Sequence, residues 1–365
     1  MRMVRVAFGE RSYTIWIGAS ALRRLGETAR ACFPGGRALV VSDRNVARRY
    51  GPLALASLRK SGIRAEILAV PAGERSKSLA QLSRIFDRLA ALQLDRGCGL
   101  VALGGGVIGD LGGFAAAAFL RGIPCIQAPT SLLAQVDSSV GGKTGVDHRL
   151  GKNLIGAFYQ PAAVLSDIAS LDTLPAREFR SGMAEVVKHA VIADAGLFAY
   201  LERNAARIQA RDKGALERVV AENCRLKARI VERDERESGP RMALNFGHTL
   251  GHAIETLAGY SRRLLHGEAV AIGMAAAARL SREEGLCAKE DVERLTALLG
   301  GFGLPTSLRR PPAQPQLAGA VGSDKKRLRG KPRFVLLERI GKVRYGCELS
   351  SRDWRPALAG RAVKS

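Results

Sequence analysis

A glycine-rich turn at residues 103–113 constrains the fold of this chain more than any other stretch. It follows an apolar strand pattern at residues 99–103 and leads into a helical pattern. Gly104, Gly106 and Gly109 have the spacing GxGxxG, which lets the backbone approach a phosphate at a helix N-terminus. Close strand-to-helix packing would also require such glycines. The position between a strand and a helix favours the phosphate site.

Short apolar strands and amphipathic helices alternate around this turn. Further strand patterns lie at residues 37–42 and 65–70, and helical patterns at residues 78–92 and 107–121. Such alternation predicts an α/β domain with a mainly parallel, Rossmann-like sheet.

Long helical patterns dominate after residue 175, and strand patterns become rare until residues 333–337. We therefore expect two domains, residues 1–175 and a mainly α-helical domain at residues 176–365. The helical patterns span residues 177–193, 213–234, 245–257, 266–284 and 289–302.

Composition excludes several classes of protein. The N-terminus alternates like a strand, and no apolar run approaches the roughly 20 residues of a membrane span, so we expect a cytoplasmic protein without a membrane partner. Six scattered cysteines without a CxxC pair argue against a zinc ribbon or a disulfide framework. The net charge is +23, but the cations are spread along the chain and aromatic residues are 5%. This distribution argues against nucleic acid and fits an anionic small molecule in part.

Three of the five histidines lie within residues 248–266. His248 and His252 are four apart and share a helix face, which is compatible with a metal site or with an ordinary surface pair. Either Glu185 or Glu268 could supply a carboxylate, and spacing alone leaves that choice open.

Polar residues and glycines concentrate at residues 137–147 and 151–153, where Lys143, Lys152 and Asn153 could bind an anion. The Gly-Lys-Thr sequence there resembles the end of a P-loop, but the first glycine of the full motif is missing. We expect a phosphate-handling loop rather than a triphosphatase. Asp43, after an earlier strand, could hold ribose hydroxyls or cap a helix.

Together these segments resemble the 3-dehydroquinate synthases of the sugar phosphate cyclase superfamily, nearly end to end. The resemblance is carried by residues 9–13, 71–77, 104–113, 119–122, 129–133, 137–147, 151–155, 171–175, 184–188, 245–255, 266–268 and 323–326. It implies an NAD-binding α/β domain, a helical domain and an active site between them. The implied enzyme is a homodimeric carbon–oxygen lyase that converts 3-deoxy-D-arabino-heptulosonate 7-phosphate to 3-dehydroquinate and phosphate. Sister cyclases of the 2-deoxy-scyllo-inosose or valiolone type are the alternative, and a polyol dehydrogenase is a more distant one.

The resemblance also implies roles for individual residues. Glu185, His248 and His266 would bind zinc, or alternatively cobalt, and His252 would handle substrate and protons. NAD would be held by Asp43, Glu74, Lys77, Gly104, Gly105, Gly106, Asp110, Thr130, Ser131, Lys143, Lys152 and Thr173. Substrate would be held by Asp137, Lys188, Asn245, Lys143, Asn153, Lys227, Arg241 and a lysine of the Lys325–Lys326 pair.

Arg121 would reach the neighbouring subunit's site in the homodimer. Two small departures from the family pattern are visible. The stretch from Tyr260 to His266 is one residue longer than usual, and Ser131 stands where threonine is common.

Overall fold

The computed structural model describes residues 1–259, 263–322, 332–349 and 353–360. The chain divides into two compact units, one of Met1–Leu174 with Lys213–Glu232 and one of Pro175–Asp212 with Arg233–Ser365. The sequence predicts a single division near residue 175, so the structure differs in the segment Lys213–Glu232. This helix joins the first unit because its polar residues bond there: Glu232 accepts from the Ala7 amide at 2.7 Å.

A seven-stranded sheet forms the centre of the first unit, in the order β1-β2-β9-β6-β5-β3-β4. Strands β1 and β2 are antiparallel, and the other neighbours in the sheet are parallel. The strands of this unit are β1 Arg2–Val6, β2 Tyr13–Gly18, β3 Arg37–Asp43, β4 Arg64–Val70, β5 Gly99–Gly104, β6 Cys125–Pro129, β7 Lys143–His148, β8 Gly151–Phe158 and β9 Ala163–Asp167. Its helices are α1 Leu25–Cys32, α2 Arg44–Lys60, α3 Leu79–Ala91, α4 Gly106–Ala118 and α7 Lys213–Arg233.

The central strands are almost completely buried because both faces of the sheet are covered. Every residue of β5 is buried, and α4 packs closely on this strand. A Cβ on Gly112 would lie 3.1 Å from the Ala102 Cβ, so the glycines of α4 serve helix-to-sheet packing as well as the turn. The regular helix ends at Ala118, three residues before the predicted end, and Leu120 has φ 50°.

The expected phosphate-handling loop contains an antiparallel hairpin of β7 and β8. Gly145 pairs with Gly156, and a Cβ on Gly156 would lie 2.1 Å from the Thr144 carbonyl oxygen. Close approach of the two strands therefore accounts for Gly156 and for Gly145, of which Gly145 belongs to the loop where the sequence predicted an anion.

The second unit is mainly helical, as the sequence predicts. Its elements are α5 Ala176–Ala193, α6 Ala195–Gln209, α8 His248–Leu257, α9 His266–Glu283, α10 Lys289–Gly301, α11 Gln314–Gly322, β10 Phe334–Arg339, β11 Lys342–Cys347 and α12 Arg355–Ala359. Helix α8 starts three residues later than predicted because Gly247 has φ 78°. A Cβ on Gly273 would lie 2.0 Å from the Gly247 carbonyl oxygen, so glycine permits the close packing of α8 against α9.

The expected fold class is confirmed, with a mainly parallel Rossmann-like sheet in the N-terminal region and helices in the C-terminal region. Along the described ranges, none of the helices combines the length and the apolar character that crossing a bilayer requires.

Candidate functional site

A cluster of one carboxylate and two imidazoles lies inside the second unit. Glu185 comes from α5, His248 from the start of α8 and His266 from the start of α9. Their potential ligand atoms all lie within 4.8 Å of one another. Glu185 Oε1 is 3.6 Å from the Nε2 atoms of both His248 and His266. One oxygen thus faces both imidazoles, an arrangement that can hold a divalent cation.

The structure resolves the choice between the two acids that spacing left open. Glu268 forms a two-point ion pair with Arg177, whose Nε and Nη2 each lie 2.7 Å from a carboxylate oxygen. Glu268 also accepts from the Leu265 amide at 2.9 Å. It therefore fastens the start of α9, and Glu185 is the acid that meets both histidines.

His252 lies beside the cluster. Its ring centroid is 5.1 Å from that of His248 and 5.9 Å from that of His266. The group His252, Glu255 and His266 also has ligand atoms within 4.8 Å of one another. Geometry therefore brings all three histidines together, with Glu185 on one side and Glu255 on another.

Burial and nearby charge set the protonation of these groups. Burial, followed by the charge of Lys188, holds the pKa of His248 well below its usual value, so its imidazole is neutral near pH 7. Burial opposes a charge on His266, yet the nearby carboxylates of Glu185 and Glu255 outweigh it and raise the pKa of His266 to about 10. The surroundings of His266 thus favour positive charge, whether a proton or a metal ion brings it. Lys188 and Glu185 form an ion pair with both side chains buried.

The glycine-rich turn of the first unit lies where parallel strands end. Gly105 caps α4 without a side-chain hydrogen bond, and the Thr130 amide, just after β6, donates to the Gly104 carbonyl at 2.9 Å. Backbone amides at such a helix start can bind a phosphate group. A nearby cavity is lined in part by Tyr50, Thr130 and Ser170. Tyr50 is 2.5 Å from the Thr173 hydroxyl.

Comparison with known proteins decides the family. The family description "3-dehydroquinate synthase N-terminal" matches residues 67–181, and "3-dehydroquinate synthase C-terminal" matches residues 182–327. The 3-dehydroquinate synthase of Citrifermentans bemidjiense is 54% identical over 323 residues, which cover 88% of this chain and 89% of that protein.

The chain belongs to the 3-dehydroquinate synthase family.

Solved structures of sister cyclases share the fold. A 2-epi-5-epi-valiolone synthase from Streptomyces hygroscopicus subsp. jinggangensis, with NAD+ and Zn2+ bound, is 28% identical, with a TM-score of 0.88 over 98% of each chain. A 2-deoxy-scyllo-inosose synthase complexed with carbaglucose-6-phosphate, NAD+ and Co2+ is 28% identical, with a TM-score of 0.85 over 94% of each chain. The expected membership of the superfamily is therefore confirmed.

Several residues to which the family resemblance assigns NAD lie close together in the first unit. Buried Lys77 bonds to Asp110 and Asn153, and Lys152 lies 3.7 Å from Glu74. Burial opposes a charged Lys77, but Asp110 and Glu74 outweigh it and raise the pKa of Lys77.

Other predicted residues have more ordinary surroundings. Asp43 caps α2, with its carboxylate accepting from the amides of Asn45 and Val46, as the alternative interpretation of the sequence suggested. Lys143 is exposed at the start of β7, and Ser131 bonds to the Ala134 amide. Arg121 follows α4 with φ 64°.

The predicted substrate residues are divided between the two units. Lys227 lies 2.7 Å from Asp137 Oδ1. Asp137 belongs to a short π-helical turn at Ala134–Ser138. In the second unit, buried Arg241 donates to the Glu235 carbonyl, and Asn245 donates to Glu237 at 2.7 Å. Lys325 and Lys326 lie outside the described residues, as do residues 260–262 of the lengthened loop.

Sequence reasoning missed the residues that surround the cluster. Glu255 follows His248 by seven positions on the same helix face, a spacing that could have drawn attention to it. The pairing of Arg177 with Glu268 joins residues 91 positions apart, and no local pattern indicates it.

Proposed function

We propose that this chain converts 3-deoxy-D-arabino-heptulosonate 7-phosphate to 3-dehydroquinate and phosphate. The net reaction consists of a transient oxidation, phosphate elimination, reduction and intramolecular aldol closure. Family membership and 54% identity to a 3-dehydroquinate synthase support this activity. The observation that carries the proposal is the position of Glu185 Oε1, 3.6 Å from both His248 Nε2 and His266 Nε2.

Glu185, His248 and His266 would hold one divalent metal ion, zinc or alternatively cobalt. Two imidazole nitrogens and one carboxylate form a donor set that is typical of catalytic zinc sites. When bound, such an ion supplies Lewis acidity toward substrate oxygens. The relatives with bound Zn2+ or Co2+ support the assignment.

The first unit would hold NAD, which supplies hydride acceptance and return when it is bound. The start of α4 has no side-chain cap and fits a pyrophosphate group, since among the described residues a Gly105 Cβ would meet only Ser131 within 4 Å, at 3.4 and 3.9 Å. Lys77, Asp110, Glu74 and Lys152 would complete that site together with Gly104, Gly106, Thr130, Ser131, Lys143, Thr173 and Asp43.

Cationic side chains of the chain would bind the anionic substrate. Buried Arg241 and Lys227 keep a fixed charge away from water, where each can bind a carboxylate or phosphate strongly. Asp137, Lys188 and Asn245 would contact hydroxyl groups, and His252 would move a proton at the substrate. Lys143, Asn153 and one of Lys325 and Lys326 would add anion contacts.

A homodimer in which Arg121 serves the partner's site, and a cytoplasmic location, complete the proposal. The finer alternative is a sister cyclase, which the 28% identity of the solved cyclases supports less than the 54% identity of the synthase does.

The test is phosphate release from 3-deoxy-D-arabino-heptulosonate 7-phosphate with catalytic NAD and Zn2+, while absorbance for NADH is followed. We expect release without accumulation of NADH, loss of release after chelation, and recovery with Zn2+ or Co2+. His266→Ala should lose metal and activity together. Release from glucose 6-phosphate or sedoheptulose 7-phosphate instead would favour a sister cyclase, and stoichiometric NADH would favour a polyol dehydrogenase.

A further inference from the structure

We propose that Glu255 is a positioning residue of the metal centre, which orients the His266 imidazole and adds negative charge behind it. This inference rests on the proposed function, because it requires that Glu185, His248 and His266 bind a metal ion.

Glu255 lies on the helix face that already carries two histidines. His248, His252 and Glu255 are separated by four and three positions along α8, so their side chains leave the helix on one side. The Glu255 side chain is buried, with 6% of its surface exposed. A carboxylate so little exposed requires a partner, and it has one in the cluster.

Glu255 contacts the His266 ring on the side that faces away from Glu185. Glu255 Oε2 lies 3.2 Å from His266 Nδ1, while His266 Nε2 lies 3.6 Å from Glu185 Oε1. Because an ionised carboxylate accepts hydrogen bonds, Nδ1 keeps its hydrogen against Glu255, and a metal ion would displace the proton of Nε2 and bind its lone pair on the side of Glu185. Hydrogen bonds of this kind fix the tautomer and the ring orientation of metal-binding histidines.

The second imidazole of the cluster is oriented differently. His248 Nδ1 lies 3.2 Å from the carbonyl oxygen of Phe246, which is neutral and belongs to the backbone. A histidine whose Nδ1–H bonds to a carboxylate is a more basic metal ligand than one whose Nδ1–H bonds to a neutral carbonyl. The carboxylate of Glu255 should therefore make His266 a stronger metal ligand than His248.

Charge balance gives Glu255 a second effect. Glu185 forms a buried ion pair with Lys188. The positive charge of Lys188 weakens the attraction between Glu185 and a divalent cation. Glu255 brings another buried carboxylate against His266, on the side of the ring that faces away from Glu185. We infer that the centre depends on Glu255 to retain its metal.

The test compares Glu255→Gln and Glu255→Ala with wild type. Zn2+ affinity is measured by competition with a chromophoric chelator, and the absorption bands of the Co2+-loaded protein report its coordination. Glutamine keeps an acceptor for Nδ1–H, so Glu255→Gln should lose about tenfold or less in affinity, and Glu255→Ala roughly 10- to 100-fold. Both variants should keep the Co2+ bands of wild type. In each variant, the ratio of the loss of kcat to the change in KM should follow metal occupancy.

Glu202→Gln is the matched control, since it removes a glutamate paired with Arg294 on the outer helices α6 and α10. It should bind Zn2+ as wild type does. Thermal unfolding in excess chelator shows whether each variant folds, independently of metal.

Unchanged Zn2+ affinity in folded Glu255→Ala would overturn the inference. Co2+ bands altered in both Glu255 variants as in His266→Ala would also overturn it, because Glu255 would then be a direct ligand in the group with His252. Either result leaves the proposed function standing. A wild-type protein that binds no Zn2+ would instead refute the metal centre itself.

Discussion

Gly267 lies so close to Ser181 that a Cβ on Gly267 would stand 1.9 Å from the Ser181 carbonyl oxygen. The Gly267 amide also donates to Ser181 Oγ at 3.1 Å. Ser181 is one helical turn before Glu185, and Gly267 follows His266 directly. This contact therefore sets the spacing between a carboxylate on α5 and an imidazole on α9.

Gly267→Ala should separate α9 from α5, because the methyl group has no space. Overpacking of this kind costs about 1–3 kcal/mol of unfolding free energy. We expect weaker Zn2+ retention together with that loss, as measured by metal analysis and urea unfolding. Gly300→Ala is the control, since nothing lies within 4 Å of a Cβ there and alanine favours the helix. Wild-type metal content in Gly267→Ala would contradict the argument.

The pair of Arg177 and Glu268 should contribute to stability in a pH-dependent way. Although burial opposes it, hydrogen bonds from Arg177 and Leu265 hold the pKa of Glu268 below its ordinary value. A depressed folded pKa means that the contribution is fully present above the unfolded pKa of about 4.3 and is lost as pH falls from there through the lower folded pKa. Because Arg177 is 42% exposed, we expect about 1 kcal/mol or less.

Urea unfolding of wild type and Glu268→Gln at pH 7 and through a series of decreasing pH values below about 4.3 checks this expectation. The two proteins should differ at pH 7 and converge only as the pH falls through the depressed pKa of Glu268. A difference that stays constant with pH would show that the effect of the substitution does not arise from the charge of Glu268.

Lys77 and Asp110 should be strongly coupled. The Lys77 side chain is 5% exposed and bonds to Asp110 and Asn153, so removing Asp110's charge leaves a buried ammonium with a weaker partner. A hydrogen bond to a charged group contributes about 1.5–3 kcal/mol. A double-mutant cycle with Lys77→Met and Asp110→Asn should give a coupling free energy of unfolding in that range. Additive effects would mean that the contact does not stabilise the unit.

The features that the sequence predicted depend on local periodicity or on family motifs. Short apolar runs predicted β3 and β5, which are buried on both faces, and helical periodicity predicted α3 and α9. The glycine-rich turn was predicted from the adjacent strand and helix. Helix α7, by contrast, was assigned to the wrong unit, because an amphipathic helix does not reveal which surface it packs against.

The missed features depend on contacts between distant residues. Spacing could not separate Glu185 from Glu268, because each acid is on a helix and the deciding partner of Glu268 is Arg177, 91 positions away. The hairpin of β7 and β8 was missed because Gly145 and Gly156 interrupt the alternation that marks a strand. Those glycines are required only because the two strands face each other.

Asp234 should determine how well Arg241 binds an anion. Its carboxylate accepts from the amides of Ser238 at 3.0 Å, Gly239 at 2.7 Å and Arg241 at 3.1 Å, so it orders the loop that ends in Arg241. Asp234→Ala should raise the KM for the phosphorylated substrate about tenfold or more, the loss expected when a charged contact worth about 1.5–3 kcal/mol is misplaced. NAD affinity should stay unchanged, because the NAD contacts proposed above lie in the first unit.

Asp194→Ala is the control for Asp234→Ala. It removes the N-cap of α6 and should cost about 1 kcal/mol of stability without changing KM. Equal increases of KM in the two variants would mean that general destabilisation, rather than the loop, weakens substrate binding.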